Sequence, residues 1–177
     1  MAFNLFQIHD NLFDEEFIKL VHSYCKDMPH WFYGRVAAPN NASTFWGCAL
    51  WEEGMERIFF LEYIYAKFTK ASGLKFRMRN AALNGQTSNQ FGGWHTDVYD
   101  NENTSPEKLL TLLYYVNPEW NDPRGSTWFR LPNGQEQEVK YVPGRVLCFP
   151  SSWHHYGDCP EQNNLLRISL AFKLELI

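Results

Sequence analysis

The residues best suited to chemistry lie in the second half of the chain. His95 and Asp97 are separated by one residue, the pair His154-His155 follows further along, and Arg167 comes after that pair. Two imidazoles and one carboxylate can occupy one face of a divalent metal ion and leave its other positions open. A nearby guanidinium can bind an anionic ligand. These residue types favour a metal site with an organic anion beside it.

The spacing of His95 and Asp97 is a weak signal on its own. Six histidines and seven aspartates in this chain give such a pair by chance about 0.24 times. In an extended segment, however, residues i and i+2 point to the same side and can share a metal ion. A third ligand could come from His154 or His155, which follow a predicted strand. Adjacent residues face opposite ways, so only one can reach the metal, and the residues alone do not decide which.

Arg167 begins the run Arg167-Ile168-Ser169-Leu170-Ala171-Phe172, in which the other residues are mostly small or apolar. Period-two alternation along a strand would turn Arg167 and Ser169 toward the same face. A guanidinium buried on such a face requires an anionic partner, because an unpaired buried charge costs several kcal/mol. A dicarboxylate ligand would supply that partner.

The composition is that of one globular domain over residues 1–177, with 45% apolar, 17% aromatic and 20% charged residues. A net charge of -4 predicts no general attraction to nucleic acid or to anionic membranes. No apolar run is long enough to span a bilayer, and the first eleven residues lack the pattern of a secretory signal. We therefore expect a cytoplasmic protein with no membrane partner. The four cysteines form no CxxC pair and are expected to be free thiols.

The first 73 residues are expected to be mostly helical and to support a barrel formed by residues 74–177. Asp14 can cap a helix whose buried stripe would contain Phe17, Leu20, Val21 and Tyr24. A second helix is predicted from Glu53 to Ala71, before Gly73. Short strands are then predicted at Phe76–Ala82, Leu109–Val116 and Arg167–Leu176, together with a hairpin of Glu138–Val142 and Arg145–Phe149 around Pro143-Gly144.

Two long polar stretches interrupt the predicted strands. Asn84–Gly93 and Tyr99–Glu107 are long enough to be binding loops or lids. The pattern of two helices followed by many short strands predicts a mainly β domain, with the helices packed on a β-sandwich or barrel.

Several segments in the last hundred residues resemble, in order, the iron(II)- and 2-oxoglutarate-dependent oxygenases, specifically their prolyl 4-hydroxylase-like branch. The matching segments are His95-Thr96-Asp97, Leu112–Asn117 followed by Trp120, Pro143-Gly144-Arg145, Phe149-Pro150-Ser151, His155-Tyr156-Gly157 and Arg167–Leu170. The resemblance implies a double-stranded β-helix, that is, a jelly-roll barrel with N-terminal helices packed on one face. Pro123–Thr127 departs from the family pattern, in which a double glycine is common.

The same resemblance implies roles for individual residues. It implies that Fe(II) is bound by His95, Asp97 and His155, and it selects His155 over His154. It also implies that Arg167 and Ser169 bind 2-oxoglutarate, and that Tyr115, the second tyrosine of its pair, reaches a carboxylate of that co-substrate. O2 would be the second co-substrate, and ascorbate would be a supporting reductant.

The expected reaction is hydroxylation of a substrate C–H bond, coupled to decarboxylation of 2-oxoglutarate to succinate and CO2. A prolyl residue in a peptide or protein is the substrate that the resemblance suggests, and a small free metabolite is the alternative. A zinc hydrolase and a non-catalytic metal-binding barrel are further alternatives. A nucleic-acid demethylase would use Lys75, Arg77 and Arg79, but these residues also fit the solvated face of a strand.

Two groups of aromatic residues are further candidates for a place in or near the site. Trp94, Trp128 and Phe129 are candidates for excluding water from the site. Trp31-Phe32-Tyr33 could belong to the core or face the substrate, and the core is favoured.

Overall fold

A computed structural model of the protein describes residues 5–37, 43–52, 55, 58–98, 105–131 and 133–177. Helix α1 spans Glu15–Lys26, and the carboxylate of its N-cap Asp14 accepts a hydrogen bond from the backbone N–H of Phe17, as predicted. Helix α2 spans Phe59–Ser72 and ends at Gly73, which adopts the left-handed conformation at φ 69°. The predicted start of α2 at Glu53 lies outside the described residues.

The strands form two antiparallel sheets. In spatial order, the larger sheet contains β1 (Gln7–His9), β8 (Val146–Pro150), β5 (Leu109–Tyr115), β10 (Arg167–Leu176), β4 (Phe76–Gln86), β3 (Thr44–Glu52) and β2 (Phe32–Val36). The smaller sheet contains β7 (Glu136–Val139), β6 (Thr127–Arg130) and β9 (His154–Gly157). The two sheets are the walls of a jelly-roll barrel, so the predicted fold class of a mainly β barrel with N-terminal helices is confirmed.

The predicted hairpin between Glu138–Val142 and Arg145–Phe149 is wrong. β7 pairs with β6 in the smaller sheet, whereas β8 pairs with β1 and β5 in the larger sheet. The turn at Pro143-Gly144 does form, because the N–H of Arg145 bonds to the carbonyl of Val142 at 3.0 Å and Gly144 has φ 72°. This turn carries the chain from one sheet to the other.

Two loop and strand boundaries also differ from the predictions. β4 continues to Gln86, so the first residues of the predicted loop Asn84–Gly93 belong to a strand. In the second predicted loop, Tyr99–Glu107, residues 99–104 lie outside the described residues and Pro106–Lys108 forms a 3-10 turn. The prediction that the first 73 residues are mostly helical and only support the barrel is wrong, because β1, β2 and β3 lie there and belong to the larger sheet. The exposed aromatic residues of β2 and β3 break the alternation that would have indicated strands.

The central strands β5 and β10 are buried on both faces, and their two faces contact different layers. Alternate residues such as Leu112 and Leu170 pack in the large core against the helices, where Phe60 and Ile64 are fully buried. The intervening residues point into the barrel, where one apolar cluster includes Leu113. This alternation places the polar residues of β5 and β10 inside the barrel, as period-two geometry requires.

The predicted buried stripe of α1 is partly wrong. Ile18, Val21 and Cys25 are the buried residues of this helix, whereas Leu20 and Tyr24 are 44% and 48% exposed. The stripe therefore lies one position away from the predicted one, and Tyr24 packs at its margin against Phe59. No helix among the described residues has the length and apolar character needed to cross a membrane.

Candidate active site

Three potential metal-binding side chains meet inside the barrel. Ligand atoms of His95, Asp97 and His155 all lie within 4.8 Å of one another. Nε2 of His95 is 3.7 Å from Oδ1 of Asp97, and Nε2 of His155 is 3.4 Å from Oδ2 of the same carboxylate. Two imidazoles and one carboxylate in this arrangement can hold a divalent transition metal.

Backbone pairing sets the distance between the two histidines. The N–H of His95 bonds to the carbonyl of His155 at 3.0 Å, and the N–H of His155 bonds to the carbonyl of His95 at 2.9 Å. The N–H of Asp97 extends this pairing by bonding to the carbonyl of Ser151 at 2.8 Å. The segment containing His95 and Asp97 thus lies beside β9, at the edge of the smaller sheet.

The pleat of β9 separates the adjacent residues His154 and His155. His155 is buried and lies opposite Phe129, whereas His154 is exposed and lies opposite Arg130. The structure therefore brings His155, and not His154, to His95 and Asp97.

Both imidazoles present the same nitrogen to the cluster. Nδ1 of His95 lies 2.9 Å from the carbonyl of Gly93, and Nδ1 of His155 lies 3.0 Å from the carbonyl of Trp153. A carbonyl can only accept, so each Nδ1 carries the hydrogen and each Nε2 keeps a lone pair for a metal. Burial, followed by the proximity of His155, lowers the pKa of His95 to about 4, which keeps this imidazole neutral near pH 7.

The carboxylate of Asp97 has further partners on the larger sheet. Oδ2 accepts a hydrogen bond from the hydroxyl of Thr111 at 2.7 Å and lies 2.5 Å from Nζ of Lys173. Burial alone would favour the neutral acid, but the Lys173 ammonium and the imidazoles hold the pKa of Asp97 well below its usual range. Asp97 therefore remains a charged, oriented carboxylate.

Arg167 is a buried cation at another part of the barrel interior, and the residue is only 2% exposed. Its guanidinium donates to the carbonyl of Gly125 at 2.7 Å, to Oε1 of Gln86 at 2.8 Å and to the hydroxyl of Thr127 at 3.2 Å. All of these acceptors are neutral, and no acidic side chain among the described residues pairs with Arg167. The positive charge is thus solvated by dipoles alone, which is an unfavourable state for a buried ion.

The metal-binding cluster and Arg167 line one cavity between the two sheets. Ser169, Lys173 and Gln86 line it as well. The predicted alternation of Arg167 and Ser169 is therefore present, and Oγ of Ser169 lies 3.4 Å from Nη1 of Arg167. An anion in this cavity could contact Arg167 at one end and a metal ion at the other.

Tyr115 lies next to this cavity but is fully buried. Its hydroxyl donates to the hydroxyl of Thr127 at 2.7 Å, and the Arg167 guanidinium lies over its ring at 5.5 Å from the centroid. The structure thus links Tyr115 to Arg167 through Thr127, which itself lines the cavity.

A family model described as the 2OG-Fe(II) oxygenase superfamily matches residues 81–172, which include the whole cluster and Arg167. The chain belongs to this superfamily. Membership implies Fe(II), 2-oxoglutarate and O2 as the reagents of a hydroxylating dioxygenase. No curated protein sequence matches the chain.

Several solved structures have a fold similar to that of this oxygenase. A prolyl-4-hydroxylase from Pseudomonas putida is 14% identical, with a TM-score of 0.69, over 97% of this chain and 92% of that one. A prolyl hydroxylase from Trichoplax adhaerens, in complex with a hypoxia inducible factor peptide fragment, is 16% identical, with a TM-score of 0.71 over 97% and 84%. The non-heme alpha ketoglutarate dependent epimerase SnoN is 12% identical, with a TM-score of 0.71 over 97% and 78%. At these identities the likeness establishes the fold.

The sequence analysis did not identify Lys173, Thr111 and Gln86 as residues of the site. Lys173 lies four residues after Ser169 on the same face of β10, so the alternation that predicted Arg167 and Ser169 also predicts it. Thr111 and Gln86 carried no signal, because a threonine in an apolar strand and a glutamine at a strand end are both ordinary.

The remaining aromatic predictions were partly wrong. Phe129 does pack inside the barrel beside His155. Trp128 lies opposite Tyr156 on the outer face of the smaller sheet, and Trp94 packs against Tyr156 as well. Of Trp31-Phe32-Tyr33, Phe32 and Tyr33 are 47% and 54% exposed, so the favoured core interpretation is wrong for these two residues.

The structure also locates three other features of the sequence, namely the candidate basic stripe, Gly125 and the four cysteines. In the candidate basic stripe, Lys75 and Arg77 are exposed, as expected for the solvated face of a strand. Arg79 differs, because its side chain is only 29% exposed and pairs with Glu175. Gly125, in the segment that departs from the family pattern, has φ 99° and provides the carbonyl that binds Arg167. All four cysteines are free thiols, as predicted, and all four are buried.

Proposed function

We propose that His95, Asp97 and His155 bind the catalytic Fe(II) of the oxygenase. Each histidine would use Nε2, because Nδ1 is committed to a backbone carbonyl. Oδ2 of Asp97 is held by Thr111 and Lys173, which leaves Oδ1 as the oxygen available to the metal. The hydrogen bonds to the second nitrogens and to the carboxylate would fix the ligands before iron binds.

Arg167 is proposed to bind the distal carboxylate of 2-oxoglutarate, with Ser169 beside it. The observation that carries this proposal is a buried guanidinium surrounded by neutral acceptors in the cavity that also contains the metal-binding cluster. A carboxylate of the co-substrate would supply the missing counter-ion. Tyr115 would contribute by orienting Thr127, to which its hydroxyl donates.

Bound iron would supply activation of O2, coupled to decarboxylation of 2-oxoglutarate to succinate and CO2 and to hydroxylation of a substrate C–H bond. The residues of the chain would orient the iron and 2-oxoglutarate and limit access of water. Phe129 and Phe149 pack against His155, at ring-centroid distances of 6.0 and 4.7 Å, and so close the apolar side of the site.

A prolyl residue in a peptide or protein is the first candidate substrate, by analogy with the hydroxylases of similar fold. A small free metabolite is the second candidate. Ascorbate would support turnover by keeping the iron reduced. Residues 1–177 are proposed to act as one domain.

The test is 2-oxoglutarate turnover, measured as succinate formed in the presence of Fe(II) and O2. His95→Ala, Asp97→Ala and His155→Ala should each lower turnover by about 100-fold or more and weaken Mn(II) binding measured by electron paramagnetic resonance. His154→Ala is the matched control and should retain both. If His154→Ala instead abolishes metal binding and His155→Ala does not, the proposed ligand set is wrong.

Arg167 is tested separately by the requirement for 2-oxoglutarate. Arg167→Ala should raise the KM for 2-oxoglutarate by about 100-fold, because a buried ion pair with the co-substrate is lost. Normal turnover at low 2-oxoglutarate in this variant would overturn the assignment.

The two alternative functions, a zinc hydrolase and a non-catalytic metal-binding barrel, lead to different expectations. A zinc hydrolase should have a second carboxylate as general base, and Asp97 is the only acidic residue among the described residues that line the cavity. A non-catalytic barrel would bind 2-oxoglutarate tightly and still form no succinate with iron and O2.

A further inference from the structure

The cavity has a second arginine that the proposed site does not use. Arg35, on β2, lines the same cavity as His95, Asp97 and Arg167. No ion pair or hydrogen bond to its guanidinium is formed by the described residues, whereas Arg79, Arg124, Arg130 and Arg145 all have acidic partners. Arg35 is therefore a cation at the cavity wall whose charge the described protein does not balance.

The side chain of Arg35 has a defined path across the sheet. A Cβ added to Gly47 would lie 2.5 Å from Cδ of Arg35, so the arginine stem passes directly over this glycine. Gly47 is paired with Asn84 on β4, and Asn84 is in turn paired with Ser169 on β10. Arg35, Asn84 and Ser169 thus form a polar row on the cavity face of the larger sheet.

Asn84 has an unsatisfied acceptor in this row. Its Oδ1 atom is buried and accepts no hydrogen bond from the described part of the chain. A buried carbonyl oxygen without a donor is unfavourable. Asn84 lines the cavity beside Arg35, so a ligand N–H in the cavity could satisfy it.

The charge of the cavity also favours a negatively charged group of the substrate. Its described lining includes three cationic side chains, Arg35, Arg167 and Lys173, against the single acid Asp97. Iron would add two positive charges and 2-oxoglutarate two negative charges, so the surplus of positive charge persists after both have bound. This surplus would favour a carboxylate group of the substrate at Arg35.

We infer that the oxygenase acts on a substrate with amino-acid chemistry, in which Arg35 binds a carboxylate and Asn84 accepts a hydrogen bond from a neighbouring N–H. Either a free amino acid or the C-terminal residue of a peptide could present these two groups. The inference rests on the proposed function, because it assigns the substrate class of the same site.

The experiment compares stimulation of succinate formation by the free acids of the protein amino acids, by their amides and by their N-acetyl derivatives. Peptides of the form Gly-Gly-Xaa, as acids and as amides, distinguish a C-terminal residue from a free amino acid. Acids should stimulate turnover and their amides should not. N-acetylation should weaken stimulation most for proline, because N-acetylproline has no N–H to donate to Asn84. Equal stimulation by acids and amides, or no stimulation by any acid, would overturn the inference.

Substitutions of Arg35 test whether this residue binds the carboxylate of the substrate. Arg35→Gln should raise the KM of a stimulating acid by about 10- to 100-fold, and Arg35→Lys should recover part of this loss. Because a merely structural defect would affect acids and amides alike, the ratio of the two KM values is the informative quantity. Arg77→Gln, which removes an exposed arginine on β4 outside the cavity, is the matched control and should behave as the wild type.

Failure of this inference is distinguishable from failure of the proposed function. If the wild type forms no succinate with Fe(II), 2-oxoglutarate and O2 under any condition, the proposed function is wrong. If basal succinate forms but the response does not depend on a substrate carboxylate, only the substrate class is wrong.

Discussion

The ammonium of Lys173 lies 2.5 Å from Oδ2 of Asp97, the carboxylate proposed to bind iron. The two side chains are 12% and 15% exposed, so little solvent screens their attraction. In the metal-free protein, Lys173 compensates a carboxylate that would otherwise lie unpaired beside two imidazoles. In the metal-bound protein, the same ammonium would add a positive charge next to the metal ion.

Lys173→Met should therefore destabilise the metal-free protein more than the metal-bound protein. The metal-free variant should lose about 3 kcal/mol in free energy of unfolding, because Asp97 loses its cationic partner. Saturating Mn(II) should then raise the melting temperature of the variant more than that of the wild type. Lys75→Met, which removes an exposed lysine, is the control, and an equal metal-induced shift in all three proteins would contradict the prediction.

Ser169→Asp should block binding of 2-oxoglutarate from within the chain. Oγ of Ser169 lies 3.4 Å from Nη1 of Arg167, so an aspartate here would present a carboxylate to the guanidinium. The KM for 2-oxoglutarate should rise by about 100-fold. Ser169→Asn has nearly the same shape without the charge and should have a much smaller effect on KM. Similar KM values for the two variants would mean that Arg167 does not bind the co-substrate carboxylate.

Gly125→Ala should disturb both stability and co-substrate binding. Gly125 has φ 99°, and an added Cβ would lie 2.4 Å from Cζ2 of Trp120. We expect a loss of about 2–4 kcal/mol in urea unfolding. Movement of its carbonyl, which accepts from Nε of Arg167, should also raise the KM for 2-oxoglutarate.

Gly134→Ala provides the comparison for this effect. Gly134 also has a positive φ, of 83°, but no atom of the described residues lies within 4 Å of the added Cβ. Its substitution should cost about 1 kcal/mol and leave KM unchanged. Equal losses in the two variants would show that crowding against Trp120 is unimportant.

The metal-free protein should become less stable as the pH falls from about 6.5 to about 4. The pKa of His95 is lowered from 6.5 to about 4, by burial and then by His155, so in this range the unfolded chain binds a proton that the folded protein does not. This difference amounts to a loss of about 3 kcal/mol across the range. It can be measured by urea unfolding of chelator-treated protein at several pH values.

His95→Gln should decrease this pH dependence. His9 and His22 also have pKa values lowered by burial, so a smaller slope should persist in the variant. If the variant and the wild type lose stability in parallel between pH 6.5 and 4, His95 is not buried as a neutral imidazole.

The sequence predicted what local periodicity and short motifs determine. The Asp14 cap, the end of α2 at Gly73 and the strand from Arg167 to Leu176 are all confirmed. Alternation along β10 also predicted that Arg167 and Ser169 share a face. These features depend on a few neighbouring residues, so the sequence carries a complete signal for them.

Pairing between distant segments was not predictable in the same way. The residues around Pro143-Gly144 have the pattern of a hairpin, but β7 and β8 pair with strands of different sheets. The position of Arg35 in the cavity depends on β2 pairing with β3 and on the absence of a side chain at Gly47. No local rule contains this information, because it depends on which strands of the barrel become neighbours.

The reciprocal backbone hydrogen bonds between His95 and His155 have a consequence for the evolution of this chain. The spacing of the two imidazoles is set by the pairing of two extended segments, and the turn at residues 87–91 takes no part in that pairing. Substitutions in this turn can therefore accumulate while the imidazole spacing is preserved. Descendants of one ancestral barrel could in this way acquire new substrates without having to rebuild their catalytic centre.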